Sequence, residues 1–183
     1  MLDAAGVPFE AVPAPLDEEE AKAGLAGAGF DPRGLAEMLA ELKAKSVEAA
    51  AGALVLGCDQ TLETADGDML SKPGSRGEAF RQLRGLSGST HRLHSAAALV
   101  REGETVWRAC ETAALTMRPF SDAFLETYLD REYEAIRHNV GGYRIEGLGA
   151  QLFEAIDGSH FAILGLPLLP LLAVLRERGV LAA

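Results

Sequence analysis

Two neighbouring apolar runs constrain the fold more than any other feature of the sequence. Residues 91–100 and 105–117 are each strand-like, and the polar stretch 101–104 (Arg-Glu-Gly-Glu) separates them. A short connection containing glycine between two such runs predicts a β-hairpin. The chain is therefore expected to build a sheet that contains at least this pair of strands.

Helical patterns stand on both sides of the hairpin in the sequence. Asp31-Pro32 is a typical helix start, and apolar residues at helical spacing predict a helix over 32–50 that ends before Gly52. The remaining patterns predict a loop over 17–29, a buried strand over 53–58, a turn at 66–67, helices beginning after Ser75 and Ser121, strands and tight loops over 141–164, and a last helix over 167–178. Helices mixed with isolated strands and a hairpin predict the α/β class with a mixed sheet.

Composition narrows the classes of function. The 183 residues include 17 Lys and Arg against 27 Asp and Glu, a net charge of −10. This balance argues against binding to nucleic-acid polymers or anionic membranes, which need a basic surface. The longest apolar run, 161–175, contains two prolines and is shorter than the roughly 20 residues of a membrane helix. With no signal-peptide pattern and only two cysteines, the sequence predicts a single cytoplasmic domain.

Two residues are the first candidates for chemistry. Asp59 directly follows the predicted strand 53–58, a position where ligand sites of open α/β sheets cluster. It could bind Mg²⁺ or act as a general base, or it could be a turn aspartate. Lys72, beside Pro73 in a loop before a helix, could meet a phosphate or simply be solvated.

Other polar residues carry weaker signals. Lys43 lies on the polar side of the helix predicted over 32–50, and the acidic run 17–20 could supply an oxygen ligand to a divalent metal or remain a solvated loop. In the glycine-dense segment 141–149, Glu146 is the polar group expected to point into a pocket, although this segment could equally form only tight turns. The four histidines have no zinc-ligand spacing, and the P-loop, dinucleotide-binding and serine-hydrolase motifs are absent from the sequence.

A series of short motifs runs collinearly along the whole chain. They are 7–13 (VPFEAVP), Asp17-Glu18, 39–44 (LAELKA), 55–60 (VLGCDQ), Lys72-Pro73, 86–91 (LSGSTH), Phe120-Ser121, 142–149 (GYRIEGLG) and 164–167 (LGLP). Together they resemble the Maf family of nucleoside triphosphate pyrophosphatases, also called septum-formation inhibitors. The resemblance implies a Maf/ITPase-like α/β fold, with a mixed twisted sheet, flanking helices and two lobes around a central cleft.

The resemblance also implies a reaction and a set of residues that carry it out. The reaction is hydrolysis of a nucleoside triphosphate, of a modified or non-canonical kind, to the monophosphate and pyrophosphate. Asp59 would be the catalytic carboxylate and, with Glu18, would hold a divalent metal, Mg²⁺ or Mn²⁺. Lys43 and Lys72 would neutralise the phosphates. A homodimer in the cytoplasm, removing unwanted nucleotides, is what the family leads one to expect.

Two positions look similar to those that sort substrates within the family. A threonine after the catalytic aspartate, with a glutamine in the glycine-rich motif, resembles the subgroup acting on dTTP and UTP. This chain has Gln60 and Glu146 there, which is more similar to the 7-methyl-GTP subgroup. The Glu146 carboxylate could pair with a cationic methylated guanine or accept N–H groups from a base edge.

The chain departs from the family pattern at its start. The family opens with a strand and a Ser-x-Ser-Pro-x-Arg-Arg loop, whereas Met1 here stands near the end of the helix that follows this loop. A start assigned at an internal methionine, a truncation, or a true loss would each explain the departure. The alternative function is therefore a catalytically impaired nucleotide-binding regulator of cell division. Ser159-His160 is a further departure, where an acidic-aromatic pair is more usual.

Overall fold

A five-stranded sheet organises the computed structural model, which describes residues 1–182. Its strands are β1 (Val55–Glu63), β2 (Met69–Leu70), β3 (Thr90–Arg101), β4 (Glu104–Met117) and β5 (Phe153–Asp157), and their order in the sheet is β2-β1-β3-β4-β5. The α-helices are α1 (Glu18–Gly27), α2 (Pro32–Ser46), α3 (Arg76–Leu86), α4 (Asp122–Ile136), α5 (His160–Ile163) and α6 (Leu168–Glu177). Short 3₁₀ turns occupy Asp3–Ala5, Val140–Gly142 and Leu148–Leu152. Within residues 1–182 no helix is both long and apolar enough to cross a membrane.

The α/β class is confirmed, but the sheet is antiparallel rather than mixed. In the β1–β2 hairpin Leu62 pairs with Leu70, and in the β4–β5 pair Leu115 faces Ile156. A register shift at Thr116/Met117 interrupts the β4–β5 ladder. Two of the four neighbouring pairs, β1–β2 and β3–β4, are consecutive strands joined by short turns, a connection that only antiparallel strands allow.

The chain divides into two compact units. The first unit comprises Met1–Gln60, His94–Thr112 and Ser159–Ala183, and the second comprises Thr61–Leu93 and Ala113–Gly158. Three of the four boundaries fall inside β1, β3 and β4, so each of these strands contributes residues to both units.

In the first unit, one core cluster forms around α6. Leu171, which is fully buried, and its neighbours one turn away pack with Ala97 and Leu99 of β3. Burying a leucine of this kind contributes about 1.5–3 kcal/mol. A second cluster is made only of small side chains, because Ala36 and Ala40 of α2 meet alanines of β3. Small residues on both surfaces let α2 approach the sheet closely.

In the second unit, α3 packs against α4. Leu83 of α3 and the pair Leu125 and Leu129 of α4 are buried, as are Leu115 and Met117 of β4. Both helices begin where the sequence predicts, because a serine side chain accepts a hydrogen bond from the backbone of the first turn. Ser75 Oγ accepts from Glu78 N at 3.1 Å, and Ser121 Oγ accepts from Phe124 N at 3.2 Å.

Most predicted elements are confirmed, with three corrections. The hairpin, the turn at 66–67, and the helices after Ser75, after Ser121 and at the C-terminus are present. The helix predicted over 32–50 ends at Ser46, and the strand predicted over 53–58 continues to Glu63. The predicted loop over 17–29 is wrong, since α1 begins at Glu18 behind an Asp17 cap whose carboxylate accepts from Glu20 N.

Candidate functional site

Asp59 lies in the interior of β1 and is buried. The expectation that it follows the end of a strand is therefore wrong, because the strand is longer than its apolar run. Side chains alternate along a strand, so Gly57 and Asp59 share one face while Cys58 and Gln60 share the other. The face that carries Asp59 is turned toward α2.

Gly57 lets α2 lie directly on β1. A Cβ atom added at Gly57 would stand 2.1 Å from the carbonyl oxygen of Ala40 and 2.7 Å from the backbone nitrogen of Ala44. Only glycine fits such a distance. This contact brings Lys43, on the last turn of α2, beside Asp59, two residues further along the same face of β1.

Lys43 joins the two carboxylates that the sequence proposed for a metal site. Its Nζ donates to Asp59 Oδ1 at 2.8 Å and lies 3.0 Å from Glu18 Oε1. Glu18 is the first residue of α1, which packs against α2. The structure thus brings Glu18, Lys43 and Asp59 together within the first unit. We call these three residues the acid–lysine cluster.

Burial and charge act in opposite directions on this cluster. Burial raises the pKa of Asp59 above its ordinary value, although the hydrogen bond and charge of Lys43 oppose the shift. Burial would lower the pKa of Lys43, but its contacts with Asp59 and Glu18 outweigh this and raise it. A carboxylate with a raised pKa beside a fixed ammonium is suited to accept a proton.

One oxygen of the cluster has no protein partner. Asp59 Oδ2 is buried and makes no hydrogen bond to any residue from 1 to 182. Because Lys43 engages Oδ1, Oδ2 is the oxygen left for a ligand. A buried polar atom without a partner is rare in folded proteins and calls for an explanation of this kind.

Lys22 is a member of the site that the sequence analysis missed. It lies one helical turn after Glu18 on α1, and its charge helps to stabilise the ionised form of Asp59. The signal for it was the i, i+4 spacing of Glu18 and Lys22, which has meaning only once this segment is recognised as a helix.

Gln60, proposed as a substrate contact, is turned to the other face of β1. Its Nε2 donates to Ser95 Oγ at 2.8 Å and to the carbonyl oxygens of Ala162 and Ile163 at 2.9 and 3.2 Å. These contacts tie β1 to β3 and α5 within the first unit. The structure therefore does not bring Gln60 into the acid–lysine cluster.

Lys72 and Glu146 belong to the second unit. Lys72 is exposed in the loop before α3, and the Pro73 that follows it is buried. Glu146 is exposed in the glycine-rich loop 141–149. Both side chains are thus available to a ligand, as a phosphate-binding lysine and a base-contacting carboxylate would need to be.

The first unit offers a metal ion two carboxylates rather than a full set of protein ligands. Among residues 1–182, no group of three or more His, Cys, Asp or Glu side chains could hold a metal ion. Asp59 and Glu18 nevertheless fit Mg²⁺, which commonly takes one or two carboxylates and completes its octahedron with water and substrate phosphates.

Comparison with known proteins identifies the family. The family model described as Maf-like protein matches residues 1–178. The chain belongs to the Maf family. Among its relatives, a nucleoside triphosphate pyrophosphatase of Caulobacter vibrioides is 48% identical over 181 residues, which are 99% of this chain and 90% of the relative.

Two further Maf-family relatives show similar coverage. A nucleoside triphosphate pyrophosphatase of Paramagnetospirillum magneticum is 49% identical over 182 residues, 99% of this chain and 93% of the relative. A 7-methyl-GTP pyrophosphatase of Mesorhizobium japonicum is 48% identical over 182 residues, 99% of this chain and 91% of the relative. The resemblance found in the sequence motifs is therefore confirmed at the level of the family.

Proposed function

We propose that this Maf-family protein hydrolyses a nucleoside triphosphate between its α- and β-phosphates, releasing a monophosphate and pyrophosphate. The observation that carries the proposal is the acid–lysine cluster, with its buried and unpartnered Asp59 Oδ2. The names of the relatives, nucleoside triphosphate pyrophosphatases in two cases, support the same reaction.

Asp59 would act as the general base. Its Oδ2 takes a proton from water, the water oxygen forms a bond to phosphorus, and the bond from phosphorus to the bridging oxygen breaks. The electron pair of that bond leaves with pyrophosphate or monophosphate, depending on which phosphorus is attacked. The raised pKa of Asp59 favours this role, because a base is most effective when its pKa approaches the working pH.

Lys43 contributes to the proposed reaction in two ways. Its hydrogen bond to Oδ1 orients the Asp59 carboxylate so that Oδ2 is the reactive oxygen. Its ammonium also places a positive charge beside the phosphates of a substrate, whose own charge is strongly negative. An acidic protein needs such focused positive charge to bind an anion.

A divalent metal, Mg²⁺ or Mn²⁺, belongs to the proposal. Glu18 and Asp59 would hold it, Asp59 through the water from which Oδ2 takes a proton, with substrate phosphates and further water as the remaining ligands. When bound, the ion supplies charge neutralisation at the phosphates and lowers the pKa of a bound water. Lys72 would add a further positive charge from the loop before α3.

The proposed substrate is a purine nucleotide of the 7-methyl-GTP type. Glu146 is the residue that supports this choice, since an exposed carboxylate can pair with the positive charge of a methylated guanine. The name of the Mesorhizobium relative agrees with it. Turnover of 7-methyl-GTP, dTTP and UTP measured side by side tests the choice, and a preference for the pyrimidines would contradict it.

The reaction itself is tested by Asp59→Asn. Pyrophosphate release is measured with Mg²⁺, with Mn²⁺ and with EDTA, using the wild type and the variant. We expect kcat to fall by about 100- to 10,000-fold, the contribution of a general base. The variant should remain folded, because asparagine keeps the shape of the side chain and Glu18 still pairs with the Lys43 ammonium.

The matched control is Asp66→Asn, which makes the same change in the exposed turn between β1 and β2. It should leave turnover unchanged. Full activity of Asp59→Asn would refute the role of Asp59, and full activity in EDTA would refute the metal. Nucleotide binding by the wild type without any turnover would instead support a nucleotide-binding regulator.

A further inference from the structure

The turn that carries Glu146 is closed by a backbone contact. A Cβ atom added at Gly149 would lie 2.0 Å from the carbonyl oxygen of Arg144, so the two ends of this turn touch. Gly147 adopts a φ of 122°, a backbone conformation that residues other than glycine rarely adopt. Glu146 thus lies on a tight turn, and the residues just before this turn in the chain determine its position.

Tyr143 anchors the entry to this turn. It is buried, with 5% exposure, and forms a cluster of three rings with His91 and Phe153. Its ring is edge-on to Phe153 at 5.0 Å and to His91 at 5.5 Å between centroids. Its hydroxyl and His91 Nε2 form a hydrogen bond of 2.7 Å, and its carbonyl accepts from Asn139 Nδ2 at 3.1 Å.

His91 is the hydrogen-bond partner of the Tyr143 hydroxyl. It is fully buried on β3, and burial lowers its pKa to about 4, so the imidazole is neutral at neutral pH. The bond to Tyr143 therefore joins two neutral groups in a dry environment, where a hydrogen bond is strong and its loss costly. His91 has no part in the reaction proposed above, and its burial needs another reason.

The loop needs such an anchor because it is rich in glycine. Glycines lose more conformational freedom on ordering than other residues, so a loop such as 141–149 adopts one shape only when contacts hold it. Two hydrogen bonds besides that of the Tyr143 hydroxyl hold the loop, one from Asn139 Nδ2 to the Tyr143 carbonyl and one from Arg144 Nε to Glu132 Oε2 of α4, at 3.1 and 2.8 Å. Gly141 packs against Leu62 of β1, and Tyr143 adds a side-chain hydrogen bond to His91 of β3.

We propose that Tyr143, held by His91, is a positioning residue that sets Glu146 for recognition of the base. This inference rests on the proposed function and adds to it a pair of residues that touch neither the phosphates nor the base. Discrimination between bases then depends on the buried hydrogen bond between Tyr143 and His91 in the second unit. Tyr143 lies three residues before Glu146, whose side chain contacts the base.

The test is Tyr143→Phe, which keeps the ring and removes only the hydroxyl. We expect the ratio of kcat/KM between the preferred and the poorest nucleotide to fall by about 10-fold, the effect of losing one buried hydrogen bond. The change should appear in KM, with kcat within about two-fold of the wild type. Hydrogen exchange of the amides of 143–149 should become faster by about the same factor.

Tyr133→Phe is the matched control, because this half-buried tyrosine of α4 lies in the same unit. It should change neither the ratio nor the exchange. In the His91→Asn variant, adding Tyr143→Phe should lower the ratio of kcat/KM much less than it does in the wild type. The reason is that the two residues act through one hydrogen bond.

The outcomes separate this inference from the proposed function. If Tyr143→Phe lowers the melting temperature but leaves the nucleotide ratio or the hydrogen exchange of the loop unchanged, the positioning role is overturned. If the wild type hydrolyses no nucleotide, the proposed function fails, and the discrimination by Glu146 fails with it. The exchange measurement, which needs no substrate, then still decides whether the bond holds the loop.

Discussion

The contact between Gly57 and α2 leads to a sharp prediction about Gly57→Ala. The added Cβ would lie 2.1 Å from Ala40 O, whereas ordinary contact begins at 3.4 Å. To relieve the clash, α2 must recede from β1 by about 1.3 Å, and overpacking of this kind costs about 1–3 kcal/mol. For a chain of this size the melting temperature should fall by about 2–12 °C.

The same movement should damage the acid–lysine cluster. Lys43 Nζ now lies 2.8 Å from Asp59 Oδ1, and a displacement of about 1.3 Å would take the pair beyond hydrogen-bonding distance. Pyrophosphate release should then fall by about 10- to 100-fold, since a misplacement of about 1 Å can cost that much. Thermal unfolding followed by circular dichroism and the turnover assay measure the two effects separately.

Gly24→Ala provides the comparison. Gly24 lies in α1 with no atom within 4 Å of the position of an added Cβ. The same substitution should therefore stabilise the protein by about 0.5–1 kcal/mol, because alanine favours the helix. If Gly57→Ala melted at the wild-type temperature and kept full turnover, close packing of α2 on β1 would not be what holds Lys43 in place.

Two further predictions concern stability. The free energy of unfolding should decrease as the pH falls from about 6.5 toward 4, because the unfolded imidazole of His91 gains a proton while burial lowers its pKa to about 4 in the folded state. Urea unfolding at pH 8 and pH 4 should show a loss about 3 kcal/mol larger in the wild type than in His91→Asn, and equal losses would contradict the burial of a neutral His91. Ser121→Ala removes the cap of α4 and should cost about 1 kcal/mol in the same assay. Ser159→Ala, at a cap position whose side chain makes no capping bond, should cost nothing, and equal costs for the two variants would refute the capping argument.

The wrong prediction of a loop in place of α1 shows why local sequence patterns miss some helices. This helix has no buried residue and contains Gly24 and Gly27, so neither amphipathic spacing nor propensity identifies it. Its stability comes from the Asp17 cap and from its packing on α2, and the ion pair of Glu18 with Lys43 joins the two helices. The packing and the ion pair are long-range contacts that local periodicity does not record.

The sequence predicts which residues belong to the candidate site, but it does not predict how their side chains are arranged. Glu18, Lys43 and Asp59 were named from collinear motifs, but the sequence contained no sign that one ammonium joins both carboxylates. The role of Gly57 was also invisible, because a glycine in a strand reveals a close approach only when the opposing backbone is known. Gln60 shows the opposite case, since its position next to Asp59 in the sequence places it on the other face of β1.

The family, the hairpin between β3 and β4, and the helices that begin at Ser75 and Ser121 are all predictable from the sequence. These features depend on residues within a few positions of one another, or on motifs in a collinear order, and are legible without a fold. The burial of Asp59 in a strand against Lys43, and the hydrogen bond of Tyr143 to His91, depend instead on tertiary packing. Such pairs are separated by many residues, and their distances depend on how closely a helix or a loop packs on the sheet.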